Sequence, residues 1–161
     1  MKRMNKLNII LLAIFSSAMV LLPLNSCEKE DDEGCGETNI SYSGESESHN
    51  KGQNCMNCHR DGGGGEGCFN AAGTVYDTTM LNSVGSGKVE FFTLPDGQGE
   101  LKHTIQIDAK GNFFTTENVV FEGLYPVVTG PSGVKNYMGS PLTSGACNSC
   151  HGVSTDRIKA Y

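Results

Sequence analysis

Leu101-Lys102-His103-Thr104-Ile105-Gln106-Ile107-Asp108-Ala109-Lys110-Gly111-Asn112-Phe113-Phe114-Thr115 is the stretch whose pattern decides the fold. Leu101, His103, Ile105 and Ile107 alternate with polar residues, the period of a strand with one covered face. Asp108 to Asn112 then supplies turn chemistry, and Asn112 to Thr115 is a second extended run. Similar short runs lie on both sides: Gly73-Thr74-Val75-Tyr76, Lys88-Val89-Glu90-Phe91-Phe92-Thr93, Val119-Val120-Phe121 and Tyr125-Pro126-Val127-Val128. Pro95-Asp96-Gly97, Glu122-Gly123 and Gly130-Pro131-Ser132-Gly133 separate them as turns. Many short strands at this spacing predict a mainly β fold, a small antiparallel sandwich over residues 69–138.

Gly73-Thr74-Val75-Tyr76-Asp77 and Asp108-Ala109-Lys110-Gly111-Asn112-Phe113 resemble the Gly-x-Val opening strand and Asp-x-x-Gly-x-Phe hairpin of the carboxypeptidase regulatory-like, transthyretin-type sandwiches. The likeness covers roughly 70 residues and rests on short turn-and-strand patterns. It implies an immunoglobulin-like scaffold or binding module without catalysis of its own.

On either side of the predicted sandwich stands one motif, written twice: Cys55-Met56-Asn57-Cys58-His59 and Cys147-Asn148-Ser149-Cys150-His151. Two thiols three positions apart can each join one vinyl group of the same porphyrin, and the next residue, a histidine, then lies under the iron. Random placement of 7 Cys and 4 His in 161 positions yields roughly 0.008 such motifs. A redox Cys-x-x-Cys of thioredoxin type needs a βαβ setting that the chain lacks. A four-thiolate zinc site would leave His59 and His151 unexplained. Cys55, Cys58, Cys147 and Cys150 are therefore expected to carry two covalently attached haem c groups, with His59 and His151 as proximal ligands. The chain resembles multihaem c-type cytochromes in these motifs, but not in the helices of the single-haem ones.

Sixth ligands need separate candidates. His49, six residues before Cys55, is placed to fold back over the first haem. Met138, nine residues before Cys147, and His103, on a predicted strand, compete for the second, with an open iron or the other haem's ligand as the remaining possibilities. Gly62–Gly65 reads as a flexible joint after the first motif.

The N-terminus carries export chemistry. Met1–Lys6 is basic and Ile9–Leu24 is apolar, too short for a membrane span and broken by Pro23. Leu24-Asn25-Ser26-Cys27 resembles a lipobox, which implies a lipoprotein signal peptide over 1–26 and diacylation of Cys27. The run Glu28-Lys29-Glu30-Asp31-Asp32-Glu33 resembles signals that send lipoproteins to the cell surface in some Gram-negative lineages. The expected location is the outer membrane, at its periplasmic side or the cell surface, held by the lipid anchor. Residues 27–54 are polar and acidic and read as a tether, 55–68 as the first haem-binding segment and 139–161 as the second, both loop-rich. Seven cysteines are an odd number. With Cys27 and the four motif thiols assigned, Cys35 and Cys68 remain, and an oxidising compartment favours their disulfide over two free thiols.

Net charge is −6, and loss of Lys2, Arg3 and Lys6 with the signal takes it to −9. Such a chain is repelled by phosphate backbones, so nucleic acid is not an expected partner, whereas redox proteins with a basic docking surface are. The expectation is an electron-transfer protein rather than an enzyme. A dihaem peroxidase-like enzyme and a surface binding module with haem-based redox sensing are the alternatives.

Overall fold

The computed structural model describes residues 35–161. The signal peptide, Cys27 and the acidic run that follows it lie outside the described residues. Seven strands form two sheets: β1 (Ala71–Tyr76), β2 (Lys88–Leu94), β3 (Gln98–Gln106), β4 (Asn112–Thr115), β5 (Tyr125–Thr129), β6 (Lys135–Tyr137) and β7 (Ile158–Lys159). One sheet runs β4-β1-β7 and the other β3-β2-β5-β6. The protein is a small, mainly β sandwich, antiparallel except where β7 pairs with β1 in parallel. Helix among the described residues is limited to 3-10 turns, and none of it is long and apolar enough to cross a membrane.

The expected alternation holds in the second half of the deciding stretch, where Ile105 and Ile107 are buried, whereas an irregularity in the pairing at Phe91–Phe92 interrupts it and Leu101 is exposed. Ile105 pairs with Val89 and His103 with Phe91 across β2–β3, while Phe113 pairs with Gly73 across β4–β1. Phe91, Val75 and Ile107 are wholly buried, and Val89, Ile105 and Phe113 nearly so. Each such side chain is worth about 1.5–3 kcal/mol once withdrawn from water. Asp96 and Gly97 both have positive φ at the β2–β3 hairpin, as a two-residue type I′ turn requires. Asp108 Oδ1 accepts from the N–H groups of Lys110 and Asn112, both at 2.9 Å, which closes the β3–β4 turn.

The structure departs from the sequence reading in three places. Val119-Val120-Phe121 is not a strand, although Val119 is buried and Phe121 packs against the core. The sandwich does not stop at residue 138, because β7 returns from the end of the chain to β1. Residues 35–54 are not a free tether. Ile40 bridges to Thr115, and buried Ser41 takes the Phe114 N–H on its hydroxyl at 3.0 Å while its own N–H donates to the Phe114 carbonyl at 2.9 Å. Hydrogen bonds to a distant strand order this polar segment, and a count of apolar residues does not register them.

Candidate functional site

Both Cys-x-x-Cys-His motifs fold as one 3-10 turn each, Cys55–Asn57 and Cys147–Ser149. In the first, Cys58 N–H and His59 N–H both donate to the Cys55 carbonyl, at 3.1 and 3.0 Å; in the second, Cys150 and His151 do so to Cys147, at 3.2 and 2.9 Å. Asn54 caps the first turn by accepting from the Met56 N–H. The tight turn thus brings the second cysteine and the histidine of each motif back to the carbonyl of the first cysteine.

The imidazoles are oriented alike. His59 Nδ1 lies 2.8 Å from the Glu66 carbonyl and His151 Nδ1 lies 2.7 Å from that of Asp156. A carbonyl only accepts, so each Nδ1 carries the proton and each Nε2 keeps its lone pair for a metal. Phe69 stacks on the His59 ring at 4.0 Å, and Phe114 backs Phe69 at 4.8 Å. In the glycine run expected as a flexible joint, Gly62 and Gly64 are open, but Gly63 and Gly65 pack onto this motif. A Cβ on Gly63 would overlap the Cys58 carbonyl, and one on Gly65 would lie 2.8 Å from His59 Nδ1. Cys35 and Cys68 form a disulfide that closes the loop around the first motif.

Of the proposed sixth ligands, the structure brings His49 to the first motif and Met138 to the second. The His49 ring centroid is 5.9 Å from that of His59, with planes 32° apart. Two ~2 Å metal–imidazole bonds plus the two ring radii come to about 6 Å, so one metal fits between rings at this separation. Asn112 Nδ2 holds the His49 carbonyl at 3.2 Å, and Lys110 Nζ holds that of Ser48 at 2.7 Å. Met138 lines a cleft of about 400 Å³ together with Cys147, Cys150, His151, Phe91 and Leu142. That is within the usual size of small-molecule and cofactor sites, and its walls are mostly apolar. His103 is not among the residues lining the cleft; it stands edge-on to Phe91 at 6.4 Å, with Phe91 between it and the cavity.

Burial sets the first thiol of each motif apart from a reactive thiolate. Burial pushes the Cys147 thiol up to about 12, and the neighbouring Cys55 and Cys150 thiols add to the rise. Burial likewise raises Cys55. A reactive or metal-binding thiolate needs the opposite shift. Among the described residues no three or more His, Cys, Asp or Glu side chains converge as a bare metal ion requires. Both motifs offer a porphyrin paired thiols and a pre-oriented imidazole, and the second adds an apolar cleft.

Two residues of this site carried no signal in sequence. Thr74, on β1, and Asn148, inside the second motif, are both buried; they bond each other, and Asn148 also reaches the carbonyl of Gln53, 95 residues away and just before the first motif. Asn148 occupies a position the motif leaves open to any residue, and Thr74 looks like one more strand residue. No protein-family model, curated protein or solved structure matches the chain, so its function has to be read from its own residues.

Proposed function

We propose that this protein is a dihaem c-type cytochrome that carries single electrons between redox partners at a bacterial envelope membrane. The observation that carries the reading is the duplicated turn, in which two thiols stand beside a histidine whose Nδ1 is committed to a carbonyl and whose Nε2 is free. Each bound haem supplies an iron that cycles between ferric and ferrous states.

The chain's own residues do the rest. Cys55 and Cys58 anchor one porphyrin and Cys147 and Cys150 the other, while His59 and His151 give the proximal nitrogens. The Glu66 and Asp156 carbonyls fix the tautomer and raise ligand basicity. His49 and Met138 would be the further ligands of the two irons, which would keep oxygen and peroxide off them and favour electron transfer over catalysis. Phe91, Leu142 and the other apolar walls of the cleft exclude water from the second site. Methionine coordination raises potential relative to bis-histidine coordination, so the Met138 haem is poised above the His49 haem. The mature charge of −9 makes a basic docking surface the fitting partner. Export and an acyl chain on Cys27 would hold the carrier at the outer membrane, at its periplasmic side or the cell surface.

Covalent attachment is the direct test. Protein from cells with c-type maturation machinery, denatured, should keep its pyridine haemochrome absorbance and a mass raised by two haems. Recovery of unmodified chain from such cells rejects the reading. Cys27→Ala should leave the haem count at two and release the protein from membranes.

A further inference from the structure

We propose that Asn148 and Thr74 are positioning residues that clamp the two haem-attachment turns side by side, so that the two haems form one electronically coupled pair. The inference rests on the dihaem reading above and adds an arrangement to it.

Thr74 lies in β1 and is almost fully buried. Its N–H donates to Asn148 Oδ1 at 3.1 Å, and Asn148 Nδ2 donates back to Thr74 Oγ1 at 3.1 Å. Asn148 Nδ2 also donates to the Gln53 carbonyl at 2.8 Å, two residues before Cys55. From the same side, Gly52 N–H donates to Thr74 Oγ1 at 2.9 Å. The Thr74 hydroxyl proton goes to Asn112 Oδ1 at 2.7 Å, and Asn112 Nδ2 holds the His49 carbonyl. One threonine and one asparagine thus grip the second motif from inside, the entry to the first motif, and the strand that positions His49.

The polar atoms of Asn148 are all engaged: both Nδ2 protons donate and Oδ1 accepts. Haem attachment makes no demand on this position, and here its side chain is spent on the other motif. Two residues of chain reach at most ~7 Å, so Cys55 starts within that distance of a group that touches Asn148. Cys55 also lies within electrostatic reach of the Cys147 thiol. Porphyrins bonded at Cys55 and Cys147 therefore leave the protein from neighbouring points. Electron tunnelling decays exponentially with distance, and the Coulomb effect of one iron's charge on the other grows as they approach.

The test is Soret circular dichroism of the oxidised, full-length holoprotein, with haem content measured first. Wild-type protein should show a two-signed couplet, absent from the summed spectra of Cys55→Ala/Cys58→Ala and Cys147→Ala/Cys150→Ala. Asn148→Ala should keep two haems and lose at least half the couplet amplitude, whereas Thr74→Ser, which keeps the hydroxyl, should retain it. A wild-type spectrum equal to the sum of the two single-haem variants overturns the coupling, whatever the substitutions do to folding. A full couplet in Asn148→Ala or Thr74→Val overturns the clamp. Fewer than two haems in wild-type protein is a different failure, since it rejects the dihaem reading and the pair with it.

Discussion

Gly73→Ala is the substitution that ties strand, core and site together most closely. Gly73 pairs with Phe113 in the β1–β4 register. A Cβ at this position would lie 2.6 Å from Phe113 Cζ, 2.7 Å from its Cε1 and 3.0 Å from Cys147 Cβ. Ordinary contact begins at 3.4 Å, so the ring would have to retreat by 0.8 Å and Cys147 by 0.4 Å. Phe113 is 1% exposed and belongs to the central cluster, and both it and Cys147 line the cleft beside His151, so any retreat displaces packed neighbours or intrudes on that cleft. Overpacking of this kind costs about 1–3 kcal/mol, which for a domain of this size lowers Tm by about 4–12 °C. Because the displaced cysteine is the first of the second motif, that motif should also load haem less completely than the first. Gly139→Ala is the control, since nothing lies within 4 Å of its Cβ. Urea titration and intact mass of both variants form the assay. An unchanged urea midpoint and full double loading in Gly73→Ala would refute the packing argument.

Other expectations follow from single features of the structure. Cys35→Ser should destabilise the protein by about 4 kcal/mol by the chain-entropy relation for a loop closed over 33 residues; an unchanged urea midpoint in oxidised protein argues against that contribution. His49→Ala should turn one haem high-spin and open to carbon monoxide while Met138→Ala does the same to the other and removes any sulfur-to-iron charge-transfer band, and wild-type low-spin spectra in both would return attention to His103. Cys147 should make the apoprotein sensitive to alkali. Its thiol is raised from 9.0 to about 12 in the folded state, so its contribution is complete below 9 and is lost as pH climbs from 9 towards 12. Melting of the apoprotein should show that loss, and it should be missing in the Cys147→Ala apoprotein; equal alkaline sensitivity in both would contradict the assignment.

Reading the fold from sequence worked where the physics is local. The burial of Ile105 and Ile107 follows from strand geometry alone, though Leu101, past an irregularity in the pairing, is exposed; the Asp96-Gly97 and Asp108–Asn112 turns follow from backbone preferences of those residues. It failed at Val119–Phe121, where an apolar run looks the same whether it pairs as a strand or merely plugs the core. It also failed for β6 and β7, which are three and two residues long. Strands that short have no period to detect, and their pairing with β5 and β1 decides that they exist.

By itself the sequence determined the local form of the two motifs, because Cys-x-x-Cys-His at fixed spacing folds as one short turn in both places. Cys55–His59 and Cys147–His151 accordingly fold alike. Only the tertiary structure decided what stands around those turns. His49 comes to His59 because Lys110 and Asn112, on a distant hairpin, hold the backbone at Ser48 and His49. Met138 and His151 share a cleft, while Phe91 stands between His103 and that cleft. The second motif reaches the entry to the first because Asn148 bonds both Thr74, on buried β1, and the Gln53 carbonyl, partners that exist only once the chain is folded. Spacing along a chain is set by covalent geometry, whereas proximity across it is set by which buried polar groups find partners when the sheets close.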